Sequence, residues 1–117
     1  CYMNPAGWIE SDTGERRYFS AFRHAFQAAG FEVVDCPRLT RMKNAADLRI
    51  ALDIMDALAN PHVRIGEFAL LSSDSDFVPL LLRLRAADRL TRLVAHPDLG
   101  RVVRAAADEV LGLDELA

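Results

Sequence analysis

The chain has 117 residues, of which 51% are hydrophobic and 26% charged, and its formal net charge is −3. These values are typical of one globular domain, residues 1–117, with a core of its own, and they exclude a disordered chain. No apolar run approaches the roughly 18 residues that a membrane span needs, and no segment resembles a signal peptide, so we expect a soluble, cytoplasmic protein. The acidic balance excludes a long basic footprint on duplex DNA.

Strands and helices are predicted to alternate in the first half of the chain. Residues 1–3 are predicted to be the end of a strand, and residues 4–14 a polar loop. Apolar residues recur at intervals of three and four over residues 15–29, which predicts an amphipathic helix ended by Gly30. Residues 31–36 are predicted to be a strand ended by Pro37.

The same alternation is predicted for the rest of the chain. A basic loop over residues 38–43 leads to Asn44 as a helix N-cap and to a helix over residues 45–58. A strand ending at Leu71, a helix over residues 77–87 and a strand over residues 90–95 follow. A last helix near residues 99–110 and a short strand over 111–113 complete the pattern. The alternation predicts an α/β fold with a mostly parallel central sheet.

Two aspartates follow the predicted strand that ends at Leu71. The strand is apolar on both faces, which suits a parallel strand covered on both sides, and Asp74 and Asp76 come directly after it. Parallel sheets bind ligands just beyond the carboxyl ends of their strands, and carboxylate oxygens are the ligands that Mg²⁺ and Mn²⁺ prefer. The pair therefore predicts a cation site. The alternative is that Asp76 caps the next helix and Asp74 completes the loop.

A third carboxylate and a small basic cluster are predicted at the same sheet edge. Asp47 lies in the first turn of the helix that follows the strand over residues 31–36, so the topology predicts that it faces Asp74 and Asp76. Lys43, the single lysine, precedes Asp47 by four residues and is predicted either to contact phosphate or to keep Asp47 ionised, and Arg38 and Arg41 add positive charge on the same loop. The alternatives are a favourable carboxylate at a helix N-terminus and an ordinary helix-surface pair.

Several other polar residues are weaker candidates. Asp108 is predicted to lie on the last helix, where it either reaches the same edge or faces water. Ser72 and Ser73 are predicted to contact substrate and not to act as nucleophiles, because no His-Asp pattern accompanies them. Asp53 is predicted to face solvent, and the three histidines lack the spacing of zinc ligands.

Three segments of the chain form a pattern seen in a known family. They are residues 43–53, which include Lys43 and Asp47, residues 70–80, which include Ser72-Ser73-Asp74-Ser75-Asp76-Phe77, and the pair Ala107-Asp108. Together they resemble the NYN domain of the PIN-like nuclease superfamily, in its LabA-like branch. The resemblance implies a three-layer Rossmann-like fold, an acidic pocket for Mg²⁺ or Mn²⁺, and hydrolysis of RNA phosphodiester bonds. By position, Asp47, Asp74 and Asp76 match the acidic residues of the family, and Lys43 matches its helix-opening lysine.

The chain departs from the family pattern at two places. Ser73 stands where the family has glycine, which leaves the two carboxylates of the loop in place. The family also begins with a strand that carries Asp and, three residues later, Asn, and the chain has no such segment. We therefore expect that the first strand of the domain, with one metal ligand, is missing.

The sequence leaves three functions open. The first is a metal-dependent ribonuclease that acts on single-stranded or structured RNA. The second is an inactive NYN-type regulatory or scaffold module that binds RNA or a protein partner, which the acidic charge and the missing ligand favour. The third is a topoisomerase-primase type of phosphoryl-transfer enzyme, which needs a terminal glutamate on an earlier strand, whereas Glu32 is predicted to lie within its strand.

The expected partners are RNA and, in one interpretation, a second copy of the chain. No membrane partner is expected. Trp8, the phenylalanines of the first predicted helix, and Leu81, Leu82 and Leu84 offer apolar surface for a homodimer. Packing in the core of a monomer explains the same residues equally well.

Overall fold

The computed structural model describes residues 1–38 and 45–116, and it divides into two compact units, Cys1–Ile54 and Met55–Ala117. Both units combine helices with parallel strands. The chain therefore has the α/β class that the sequence predicts.

The N-terminal unit contains a short parallel pair of strands, β1 (Tyr2–Met3) and β4 (Val34–Asp35). Two further backbone hydrogen bonds extend the pairing, from Val34 N–H to Cys1 O at 2.8 Å and from Cys36 N–H to Met3 O at 2.7 Å. Met3 and Cys36 are buried at this pair. The strand predicted over residues 31–36 is present, although its regular part is shorter.

A β-hairpin occupies the segment between these two strands, where the sequence predicts a loop and the start of a helix. Its strands are β2 (Trp8–Glu10) and β3 (Arg16–Tyr18), which pair antiparallel. The turn closes through a 2.9 Å hydrogen bond from Gly14 N–H to Ser11 O, and Gly14 has a φ of +82°, which glycine adopts without strain. The prediction of one continuous helix over residues 15–29 is therefore wrong.

The helical part of this segment is short. A 3₁₀ turn, Phe19–Phe22, leads into α1 (Arg23–Ala28), and Gly30 ends the helix as predicted, with a φ of +94°. Phe19 N–H donates to Gly7 O at 2.8 Å and so extends the hairpin ladder by one step. The aromatic residues at intervals of three and four thus lie in the end of a strand, a 3₁₀ turn and a short helix. Their spacing resembles that of one face of a continuous helix.

The longest helix of the chain, α2 (Ala45–Ala59), begins and ends close to its predicted bounds of 45–58. Alanine and leucine fill much of its length, and both residues favour helices. The predicted N-cap, Asn44, lies outside the described residues.

The C-terminal unit is built on a three-stranded parallel sheet. Its strands are β5 (Glu67–Leu71), β6 (Leu90–Ala95) and β7 (Glu109–Gly112), in the order β5, β6, β7. A 3₁₀ turn (Ser75–Phe77) and α3 (Val78–Ala86) connect β5 to β6, and α4 (Arg101–Ala106) lies between β6 and β7. A last 3₁₀ turn covers Leu113–Leu116.

The core of this unit lies between one sheet face and the helices α3 and α4. Parallel pairing places Leu70, Leu93 and Val110 on the same face, and these residues pack with Leu81 of α3 and Val103 of α4. Leu81 and Leu84 are each only 1% exposed. They are therefore core residues, which confirms for these two side chains the alternative of packing in the core. Leu82 is exposed.

The last predicted helix and strand differ from the observed ones. The helix predicted near residues 99–110 ends at Ala106, and β7 begins at Glu109, before the predicted strand over 111–113. Asp108 lies between them, outside any helix, and its backbone N–H donates to Thr91 O at 3.1 Å. The residues predicted to form the last turn of this helix therefore belong to the segment that pairs with β6.

Within the described residues, no helix is both long enough and apolar enough to span a bilayer.

Candidate active site

The loop that follows β5 carries the first pair of predicted site residues. Ser72 N–H continues the sheet by donating to Val94 O at 3.1 Å. Asp74 N–H then donates to the Ser72 hydroxyl at 3.1 Å, and Asp76 N–H donates to Oδ1 of Asp74 at 2.9 Å. The loop is therefore ordered by bonds between its own residues, at the carboxyl edge of the sheet, where parallel strands present ligand sites.

Asp74 is the N-cap of the 3₁₀ turn that leads into α3. Its backbone is extended, with φ −79° and ψ 124°, and its carboxylate accepts the Asp76 amide. The alternative interpretation of the sequence gave this capping role to Asp76, whereas the structure gives it to Asp74. Phe77, which is 4% exposed, anchors the turn in the core, while Asp74 and Asp76 are exposed. A carboxylate has about four lone-pair sites, so a cap and a cation ligand are compatible roles.

The neighbouring strand end joins the loop through Ser73. Its hydroxyl accepts a 2.9 Å hydrogen bond from His96 N–H, just after β6. His96 in turn accepts from Asp98 N–H at its Nδ1, at 3.3 Å. His96 and Asp98 therefore share the carboxyl edge with Asp74 and Asp76. Sequence reasoning set His96 aside because it lacks the spacing of a zinc ligand, and it did not name Asp98 as a site residue, although both follow β6 as Asp74 follows β5.

The remaining members of the predicted site belong to the N-terminal unit or lie outside the described residues. Asp47 is half-buried in the first turn of α2, as predicted. Arg38 is exposed shortly after β4. Arg41 and Lys43 lie outside the described residues.

The ligand chemistry of the loop suits a hard cation, because Asp74 and Asp76 offer oxygen atoms only. Within residues 1–38 and 45–116, however, no group of three or more His, Cys, Asp or Glu side chains is close enough to hold a metal ion. The loop thus fits Mg²⁺ or Mn²⁺ in ligand type, and the described residues do not complete a set of ligands.

Asp108 lies at the opposite, amino edge of the same sheet, immediately before β7. Its Oδ2 accepts hydrogen bonds from Thr91 N–H at 2.8 Å and from the Thr91 hydroxyl at 3.2 Å. The Thr91 amide lowers the pKa of Asp108, with further help from the Thr91 hydroxyl and Arg85, although partial desolvation opposes them. Asp108 therefore connects β6 to β7, and the prediction that it lies on a helix is wrong.

Asp53 has a similar structural setting in the N-terminal unit. It is half-buried on α2 and accepts a 2.7 Å hydrogen bond from the Tyr2 hydroxyl and 3.2 Å bonds from Arg49 Nε. Its side chain is 33% exposed, so the prediction that it faces solvent is confirmed only in part. The Tyr2 hydroxyl lowers the pKa of Asp53, while burial and the same hydrogen bond raise the pKa of Tyr2 to about 12.

The model of the NYN domain family matches residues 1–114. No curated protein matches the chain at a significant level. Because the family match covers nearly all of the 117 residues, the chain belongs to the NYN domain family.

Proposed function

We propose that the chain is a Mg²⁺- or Mn²⁺-dependent ribonuclease domain of the LabA-like branch, with the three-layer PIN-like arrangement. The observation that carries the proposal is the loop after β5. It presents the exposed carboxylates of Asp74 and Asp76 at the carboxyl edge of a parallel sheet, within a domain of the NYN family. An exposed pair of carboxylates at this edge suits cation-assisted chemistry on phosphate.

The proposed ligands of the cation are Asp74 and Asp76 of the C-terminal unit, and the described residues do not complete the set. A bound divalent cation would polarise the scissile phosphate and lower the pKa of the attacking water. The capping bond from Asp76 N–H fixes the orientation of the Asp74 carboxylate before any ligand arrives. The protein therefore loses little conformational entropy when the site is filled, because the loop is already ordered.

Ser72 and Ser73 support substrate binding in this proposal. Each hydroxyl already accepts one backbone N–H, from Asp74 and from His96. A hydroxyl that accepts a hydrogen bond still carries a proton that it can donate, and phosphate oxygens are acceptors. Both serines therefore suit a phosphate group placed beside the two aspartates.

The basic residues before α2 supply the remaining proposed contacts. Arg38, Arg41 and Lys43 would hold phosphates of the RNA backbone, which fixes the position of the strand without reading its bases. This local group of cations suits a chain whose overall charge is −3.

The proposal is tested by incubating labelled single-stranded RNA with Mn²⁺ and either the wild-type chain or Asp74→Asn/Asp76→Asn. We expect the double variant to cleave at least about 100-fold more slowly, since it loses both carboxylates that are proposed to hold the cation. A control is Asp88→Asn, which removes one carboxylate charge from an exposed turn before β6. Equal cleavage by the wild type and the double variant would reject the proposal.

A second candidate is a regulatory module that binds RNA or protein without cleavage. The net charge of −3 favours it, because an acidic surface attracts neither RNA nor a catalytic phosphate at long range. Calorimetric titration with Mn²⁺ separates the two candidates. A nuclease shows saturable binding that Asp74→Asn/Asp76→Asn abolishes, whereas a regulatory module needs no such binding and keeps its partner affinity in the variant.

A further inference from the structure

One face of the hairpin β2–β3 exposes two aromatic side chains next to each other. Trp8 and Tyr18 are directly opposite in the antiparallel register, so they project from the same face. Trp8 is 43% exposed and Tyr18 is 46% exposed. Large rings are normally buried, and two adjacent exposed rings mark a surface with a function in binding.

A guanidinium group adds positive charge to the same face. Arg16, two residues before Tyr18, lies on this side of the hairpin, and its Cζ is 4.3 Å from the centroid of the Trp8 ring. This cation–π contact orders both side chains. Glu10 pairs with Arg16 across the strands and limits the charge, so the face as a whole is close to neutral.

The hairpin holds these side chains in fixed positions. At its base, a Cβ added to Gly7 would meet the Phe19 ring at 2.6 Å, so the two strands are closely packed there. At its tip, Ser11 N–H donates to Glu15 O at 2.8 Å, and the Ser11 hydroxyl accepts from Glu15 N–H at 3.2 Å. Hydrogen bonds and close packing therefore connect the two strands at both ends of the hairpin, and the aromatic face lies between them.

We propose that this aromatic platform, formed by Trp8, Arg16 and Tyr18, binds unpaired bases of RNA by stacking. The inference rests on the proposed function only in taking RNA as the ligand. The Arg16 guanidinium lies over one face of the Trp8 ring, so a base of single-stranded nucleic acid stacks on the outer side of that guanidinium plane or on the Tyr18 ring. A duplex hides its bases, so the platform selects single-stranded regions of the substrate.

Protein docking is the less favoured use of this face. A specific protein interface buries about 800 Å² on each partner and has an apolar centre. Here two rings share a narrow, two-stranded surface with Glu10 and Arg16, and Ile9 projects from the opposite face. Two rings and one guanidinium group offer stacking positions for one or two nucleobases.

The single tryptophan of the chain makes the proposal directly measurable, since all tryptophan fluorescence comes from Trp8. The full chain is titrated with an unlabelled uridine and adenosine oligonucleotide in EDTA, so that binding is observed without cleavage. We expect saturable quenching of the fluorescence. The same oligonucleotide annealed to its complement should bind about tenfold more weakly, because its bases are stacked within the duplex.

Variants locate the binding to this face. With fluorescein-labelled RNA and anisotropy as the readout, Trp8→Ala and Tyr18→Ala should each weaken binding about tenfold, while Trp8→Phe keeps most of the affinity. The matched control is Ile9→Ala, which removes an exposed apolar side chain from the other face of the same hairpin and should bind like the wild type. Circular dichroism of each variant confirms that it is folded.

Three results would overturn the inference. The first is equal binding by the wild type, Trp8→Ala and Tyr18→Ala. The second is equal affinity for the duplex and the single strand. The third is that the chain does not bind RNA but binds itself or another protein in a way that Trp8→Ala abolishes.

The platform and the nuclease can fail separately. Binding in EDTA that Asp74→Asn/Asp76→Asn retains, with no cleavage by any variant in Mn²⁺, supports the platform and rejects the nuclease. Cleavage in Mn²⁺ that Trp8→Ala and Tyr18→Ala leave unchanged, with no quenching in EDTA, rejects the platform and supports the nuclease.

Discussion

The two edges of the β5–β6–β7 sheet use aspartate in opposite ways. At the carboxyl edge, Asp74 and Asp76 are exposed, and the hydrogen bonds around them stay within one loop. At the amino edge, the Asp108 carboxylate satisfies the amide and the hydroxyl of Thr91, a residue that is only 1% exposed. The same type of side chain is exposed to a ligand at one edge and is occupied by hydrogen bonds within the fold at the other.

The difference shows that the role of an aspartate, as ligand or as part of the fold, depends on its hydrogen-bond partners and cannot be read from the residue type. Loss of the Asp108 carboxylate would leave buried donors of Thr91 unsatisfied, which is a cost to the folded state. Asp53 repeats this pattern in the N-terminal unit, with the Tyr2 hydroxyl as its donor. Asp53 and Asp108 therefore contrast with the loop aspartates, and four experiments can sharpen or break that contrast.

The largest expected effect is on RNA cleavage. Asp76→Asn should lower the rate on the order of 100-fold, because it removes a carboxylate from the proposed cation site. Asp108→Asn should leave the rate per folded molecule unchanged, since Asp108 lies at the other edge of the sheet. Single-turnover cleavage in Mn²⁺, normalised to the folded fraction, makes the comparison. If Asp108→Asn reduces cleavage as strongly as Asp76→Asn, the two edges do not have separate roles.

The second effect is on thermal stability, where the order of the variants should reverse. Asp108→Ala removes the acceptor of both Thr91 donors, so we expect its melting temperature to fall by several degrees. Asp76→Ala should melt close to the wild type, because only the backbone N–H of Asp76 takes part in the capping bond. Circular dichroism melts measure both. A normal melting temperature for Asp108→Ala would contradict the structural role.

The third effect separates the two roles of Asp74. Asp74→Ala loses the N-cap and should cost about 1 kcal/mol of unfolding free energy, whereas Asp74→Asn keeps a capping oxygen and should cost much less. Both variants should lose cleavage equally, since neither retains the carboxylate. Urea denaturation measures the stabilities. Equal stability of the two variants would show that the cap contributes nothing.

The smallest effect is a change in stability at alkaline pH. The pKa of Tyr2 in the folded chain is about 12, above its ordinary value of 10.0, because of burial and the hydrogen bond to Asp53. A raised pKa contributes stability that is present below the unfolded value and is lost as the pH rises through the folded one. Tyr2→Phe should therefore flatten the loss of stability between about pH 10 and 12.

Absorbance of the tyrosinate gives an independent check on Tyr2. The chain has two tyrosines, so the variant Tyr18→Phe leaves Tyr2 as the only one that titrates. A midpoint near 10 in that variant would mean that the bond to Asp53 is absent in solution.

The parts of the fold that the sequence predicts well are those with strong local patterns. The strand β6, the helix α2 and the end of β5 at Leu71 match their predicted positions, because short apolar segments specify the strands and helix-favouring residues specify the helix. The location of Asp74 and Asp76 beyond the end of β5 follows directly from that strand.

The parts that were predicted wrongly depend on competition or on distant partners. The turn at Ser11-Asp12-Thr13-Gly14 is itself a hairpin signal, but the aromatic spacing after it gave a stronger helical pattern. Asp108 acquires its role from Thr91, which is 17 residues earlier in the chain. No short sequence window contains both residues. The apolar periodicity around Asp108 therefore could not show that this residue bonds to Thr91 of β6 and does not lie on a helix.

The hydrogen bond between Ser73 and His96 has a consequence for observing the acidic loop. The Ser73 hydroxyl accepts a hydrogen bond from the backbone N–H of His96, so one side chain joins the ends of two adjacent strands. Ser73 is also the position at which the family pattern has glycine. Opening of the loop must release that amide to solvent. The exchange rate of the His96 amide proton, read from its NMR resonance, therefore reports how often the loop opens, without any label placed on the aspartates themselves.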